Sequence, residues 1–199
     1  MAETSKSRWI SLVAILTALA SVLNFTVEVP APYLPFLQYE VWEVPILLAA
    51  LLLGLTGGLT VAALNTLVLE VHPGVLPSGP VYNLIAQVAM MLGVLGALRI
   101  ARRGRGRVAW SWGAATCAGS LARTAVMTVV NAYVLPQPAP IGFSLPGPTV
   151  VADLPLIAAF NFTVALYTVP LALASCRAVV SRTHFRGNSS WAEVPHSAV

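Results

Sequence analysis

Arg123 sits inside an apolar stretch, 108–134, that is long enough to be a buried or membrane-crossing helix. An ionisable side chain in such a place is costly in lipid and is expected to face a partner or a polar cavity. Two roles suit it. Its guanidinium could bind a polar or anionic part of a ligand, or it could form a structural ion pair with Glu70 or Asp153. Asn131 follows eight residues later, close to the same helical face, and Asn161 sits in the run Ala158-Ala159-Phe160-Asn161-Phe162-Thr163. A buried amide both donates and accepts, which suits the edge of a flat heterocycle. The same group can also tie helices together. Asn24, Asn65 and Asn83 admit both roles, with helix tying the simpler one.

Other chemistry is thinly represented. Tyr33, Phe36, Tyr39 and Trp42 crowd one segment, where they would form either a lid that stacks on a planar ligand or an aromatic belt at a membrane interface. His72 borders a Pro-Gly turn and has no second His or Cys near it, so no metal site is expected. Cys117 and Cys176 lie in apolar runs and are expected to be small core residues, not a disulfide framework. The sequence has no Walker motif, nucleophile elbow or His-Glu-x-x-His, so it offers no evident means of hydrolysing ATP.

The elements that hold these residues follow from composition. Of 199 residues, 57% are hydrophobic and 9% are charged, against roughly 25% charged in a soluble domain. So few charges cannot clothe a soluble surface of this size, whereas an apolar surface is what lipid requires. The expectation is a polytopic all-α membrane protein, with one membrane domain over 1–182 and a polar tail over 183–199. Nearly all Lys and Arg fall in three clusters: Lys6 and Arg8, 99–107, and 177–186. Each abuts an apolar run, which reads as a flank obeying the positive-inside rule and excludes nucleic acid as a partner. Lys6 and Arg8 ahead of an apolar run ending in Ala18-Leu19-Ala20 mimic a secretory signal. Later helices demand insertion in any case, so this segment is expected to stay as a helix.

A spanning helix needs roughly 20 apolar residues, and 9–27, 81–100, 108–134 and 150–180 meet this. The stretch 45–69 reads as one helix, or as two broken at Gly54-Leu55-Thr56-Gly57-Gly58. Charge decides. One helix would place the basic cluster 99–107 opposite Lys6 and Arg8. Two helices place all three clusters on one side, and Glu28, Glu40, Glu43, Glu70 and Asp153 on the other. Six transmembrane helices with both termini cytoplasmic are therefore expected. The second and third would each be near 13 residues, roughly 20 Å long. The segment 28–44 contains Pro30, Pro32 and Pro35 and is expected to be ordered without being a regular helix. The outward loops 28–44, 71–80 and 135–149 are the long ones, which places any substrate site on the outer side.

Taken in order, these residues resemble the S components of energy-coupling factor (ECF) vitamin transporters, most closely the riboflavin-specific branch. The resemblance rests on four segments. They are the first helix with Ala14 and Ala18; Pro35-Phe36-Leu37-Gln38-Tyr39-Glu40 leading to Glu43-Val44-Pro45 and a helix ending at Gly54; Arg123 through Asn131 with Pro136 beyond; and Phe160-Asn161. Gln38 and Glu40 stand where the family often has Lys then Asp, and Val164 where it often has Lys. The resemblance implies six helices, and a riboflavin site in the outer half, capped by the first loop and lined by the last three helices. Riboflavin would be transported cargo, and no cofactor is implied. The implied substrate-binding residues are Leu37, Gln38, Tyr39, Glu40, Asn83, Arg123, Asn131 and Asn161. Of these, Asn131 and Asn161 would bond to the ring, and Leu37 and Tyr39 would pack on its face. Implied partners are a transmembrane coupling subunit, met by the face bearing Ala14 and Ala18, and two cytoplasmic ATPases, all at the cell membrane. Three alternatives differ from this. They are an S component for another vitamin or small heterocycle, an intramembrane enzyme using Glu40, Glu43, His72 and Asp153, and a structural membrane scaffold without a ligand.

Overall fold

The computed structural model describes residues 6–26, 29–71, 78–103 and 108–183. Among the described residues, six helices and one hairpin account for the regular structure: α1 Lys6–Asn24, β1 Val29–Ala31, β2 Leu34–Tyr39, α2 Glu43–Leu53, α3 Leu55–Glu70, α4 Gly79–Arg103, α5 Val108–Val134 and α6 Gly147–Thr183. Four of them, α1, α4, α5 and α6, are long and apolar enough to cross a membrane, whereas α2 and α3 are shorter apolar helices. Glu28, His72 and the tail beyond Thr183 lie outside the described residues.

The stretch 45–69 is two helices. They part at Gly54, whose φ of 85° and ψ of 178° fall in a region open essentially to glycine alone. Every residue of α2 except Val44 is buried, as expected of a helix that is apolar on all sides. It packs against α1, α3, α4 and α6 and so forms the centre of the bundle. Ile46, Leu47, Leu51 and Leu52 join Met90 and Met91 of α4 and Leu173 of α6 in the main core. The closest helix contacts use small residues, since a Cβ on Gly93 of α4 would lie 2.5 Å from the Ala118 carbonyl oxygen of α5.

The exterior is apolar as well. Ile10, Ile15, Leu19 and Val22 of α1, Leu92 of α4, Leu121 and Val129 of α5, and Leu166 and Leu171 of α6 are all exposed. Ala14 and Ala18 lie on that exposed side of α1. Cys176 is buried as expected, but Cys117 is exposed on α5. An apolar helix surface was no guide to which residues face the core, because the outward face is apolar too.

The segment expected to be ordered but non-helical is an antiparallel hairpin. Val29 pairs with Tyr39 and Pro30 with Gln38, and an irregularity before Ala31 shifts the register so that Ala31 pairs with Leu34. Proline is tolerated in both strands because a two-stranded ribbon has only edges. The turn between α5 and α6 is also fixed. Ser78 donates to the Pro140 carbonyl at 2.7 Å, and Tyr82 donates to the Ile141 carbonyl at 2.8 Å. Both side chains come from the segment opening α4.

Candidate ligand-binding cleft

The helix order sorts the charges. Glu43 opens α2, Glu70 closes α3, Asp153 lies in the second turn of α6, and Glu40 follows the hairpin, all at the pole where α1 ends. Lys6, Arg8, Arg99, Arg177 and Arg182 lie at the other pole. At the acidic pole α2 starts late. With 11 residues it is about 16 Å long at 1.5 Å per residue, so its first turn lies well inside the bundle. At the same pole the hairpin packs on α6.

Glu43 and Arg123 meet in this inner position. They are 4% and 3% exposed, and the Arg123 Nη1 donates to Glu43 Oε2 in a buried ion pair. The Arg123 Nε donates to Asn161 Oδ1 at 3.0 Å, and the Asn161 amide nitrogen donates to the Ile157 carbonyl at 2.9 Å. One guanidinium thereby ties α2, α5 and α6 together. The partner is Glu43 and neither Glu70 nor Asp153: Glu43 is buried at the start of the central helix α2, whereas Glu70 is exposed at the end of α3 and Asp153 is only half-buried.

The hairpin is fastened to α6. Ala31 packs with Phe160 and Val164, and Leu34 with Leu135, Val150 and Ile157. The Tyr39 ring lies 4.9 Å from that of Phe160, and its hydroxyl is 3.1 Å from the Thr163 hydroxyl and 2.6 Å from that of Tyr33. Desolvation and the hydrogen bond with the Tyr39 hydroxyl push the Tyr33 phenol up to about 12. Tyr167 donates to the Glu40 carbonyl at 2.6 Å, and the Trp42 indole N–H donates to the Glu40 carboxylate.

Between hairpin, ion pair and helix ends lies a cleft of about 190 Å³. Its apolar wall includes Phe25, Leu37, Trp42, Leu69, Phe160 and Val164. Its polar lining is Asn24, Gln38 and Asn83, with Glu40, Glu43 and Arg123 as the charged members. An apolar wall with a few convergent polar groups is the usual make-up of a small-molecule site.

Of the expected residues, Leu37, Gln38, Glu40, Asn83 and Arg123 line this cleft. Tyr39 borders it through Phe160, and Asn161 braces Arg123 from behind. Asn131 is not among the lining residues. It lies further out on α5, half-buried, with its amide donating to the Met127 carbonyl at 2.7 Å. Asn65 does tie helices, accepting from Ser21 of α1 at 3.3 Å. Of the other lining residues, Asn24 and Trp42 were open to a ligand role, Glu43 was given a role only as an acid of the enzyme alternative, Phe160 and Val164 entered only through the resemblance, and Phe25, Leu69 and Pro80 were not anticipated. Glu43 had a readable signal, as the one acid heading an otherwise apolar helix. Among the described residues no three of His, Cys, Asp and Glu cluster as a metal site would require. Glu40 and Glu43 share the cleft, but Asp153 is not part of its lining.

No family model and no curated protein matches the sequence. Among solved structures, the chain is similar to the S component of a bacterial ECF transporter. The TM-score is 0.72 at 24% identity, over 89% of this chain and 98% of that one. At that identity the likeness establishes a shared fold.

Proposed function

We propose that this chain is the substrate-binding membrane subunit of an ECF-type vitamin importer and that its cargo is riboflavin. The observation that carries the reading is the cleft at the acidic pole, set within the fold of a solved S component. It is walled by aromatic and aliphatic side chains, edged by amides, and roofed by a hairpin bonded to α6. A three-ring heterocycle buried against Phe160, Trp42 and Leu37, with Gln38, Asn24 and Asn83 at its edges, would use every kind of group the cleft supplies. In this reading all six helices span the cell membrane, both termini are cytoplasmic, and the cleft faces outward. The exposed Ala14 and Ala18 allow close backbone approach and form the docking face for a transmembrane coupling subunit, which joins two ATPases. The chain is a transport subunit and not an enzyme. Its charged cleft residues bond to one another, to Asn161 and to Trp42.

Uptake tests this assignment. A bacterial host unable to make or import riboflavin should grow on low riboflavin when it expresses this chain with a coupling subunit and its two ATPases. It should fail with the chain alone, or with an ATPase unable to hydrolyse ATP. Growth that does not need the ATPases would contradict the coupled mechanism. No growth with the complete set, in cells where the chain is inserted, would contradict riboflavin as cargo.

A further inference from the structure

The charge around the cleft bears on which form of its ligand can enter. The lining carries two carboxylates, Glu40 and Glu43, and one guanidinium, Arg123. That guanidinium is already committed to Glu43 and to Asn161. A ligand anion that recruited it would leave Glu43, 4% exposed, as a buried carboxylate without its counter-charge, which is strongly unfavourable. The surroundings have the same sign. Glu70 follows the lining residue Leu69, and Asp153 lies between Phe160 and the start of α6. Among the described residues, this pole sets Glu40, Glu43, Glu70 and Asp153 against Arg123 alone, while the remaining described Lys and Arg side chains lie at the far pole. The balance stays negative whatever each carboxylate bonds to locally. A cleft whose lining and surroundings carry net negative charge focuses that field on what enters, and the field falls as ionic strength rises.

Building on the proposed vitamin site, we infer that the cleft sorts its ligand by charge. It admits an uncharged or cationic heterocycle and rejects the same heterocycle once it carries a phosphate. Glu40 and Glu43 are the specificity-determining residues. The ion pair holds Glu43 in place, and Glu40 stands on the lining at the junction of hairpin and α2.

Matched pairs titrated into the purified full-length chain test this: riboflavin and its 5′-phosphate, pyridoxine and its 5′-phosphate, thiamine and its monophosphate. The member of a pair that binds should be the unphosphorylated one, at least about tenfold more tightly than its phosphate ester. The gap should narrow several-fold as salt rises from about 0.05 M to about 0.5 M. It should narrow also in Glu40→Gln, whose amide oxygen can still accept from the Trp42 indole while the charge is gone. The salt series on the unaltered chain decides the matter if that variant does not fold. Equal binding of ester and parent overturns the inference and leaves the vitamin site standing. A gap indifferent to both salt and Glu40→Gln is steric and also overturns it. If no member of any pair binds to folded protein, the vitamin site falls and this inference with it.

Discussion

Taking the carboxylate from Glu43 would leave Arg123 charged and enclosed, and removing one partner of a buried pair costs about 3–5 kcal/mol. Glu43→Ala should therefore lower the thermal unfolding midpoint of the detergent-purified protein markedly. Replacing both partners, with Glu43→Leu and Arg123→Met, should recover most of the loss, because a packed apolar pair can match a buried ionic one. A midpoint indifferent to Glu43→Ala would show that the pair does not hold α2 to α5. The need for a partner was legible in the sequence, since a lone arginine in an apolar helix demands one. Its identity was not. Glu70 and Asp153 were the expected candidates, and the choice of Glu43 depends on α2 lying at the centre of the bundle, which hydropathy does not encode. Asn131 shows a similar limit. Its spacing from Arg123 put it near the same helical face, but the cleft lies deeper along α5 than that residue.

The contacts between helices are set by individual small residues, and two glycines on α4 separate packing from propensity. A Cβ on Gly93 would strike the Ala118 carbonyl oxygen, whereas one on Gly96 would meet nothing within 4 Å. Gly93→Ala should destabilise by about 1–3 kcal/mol as α4 and α5 are forced apart. Gly96→Ala should be neutral or stabilise by up to about 1 kcal/mol, from helix propensity. Thermal unfolding of the two variants side by side checks this, and equal effects would refute the close approach at Gly93. Among the elements themselves, α1, α4, α5 and α6 were readable from their apolar lengths, and α5 agrees with its expected limits. The division of α2 from α3 was readable from Gly54 and from charge sorting. The hairpin was readable only as ordered chain, because Pro30 and Pro35 argue against a sheet interior and say little about a ribbon that is all edge. Its anchoring to α6 through Tyr39 and Thr163 joins residues 124 apart in sequence, beyond the reach of any local pattern.

Seen as one body, the protein is an apolar bundle with acids at the cleft end and bases at the other. In the proposed orientation, with the basic end inside, the cleft opens outside the cell. In a background free of Cys117 and Cys176, a membrane-impermeant maleimide should label Ile141→Cys on intact cells and Ser181→Cys only in inverted vesicles. The reverse pattern would contradict the proposed orientation. Composition alone made the bundle's class legible, but not the site's floor, which three helices assemble from residues far apart in the chain. The deciding experiment is a titration of the purified chain with riboflavin, following flavin fluorescence, in the unaltered protein, in Phe160→Ala and in Leu121→Ala. Near-stoichiometric quenching is expected in the unaltered protein and in Leu121→Ala, whose side chain is exposed on the apolar exterior. Affinity should fall at least about tenfold in Phe160→Ala, which loses an aromatic wall of the cleft. No quenching by folded protein, or quenching that ignores Phe160→Ala, would contradict a riboflavin site in this cleft.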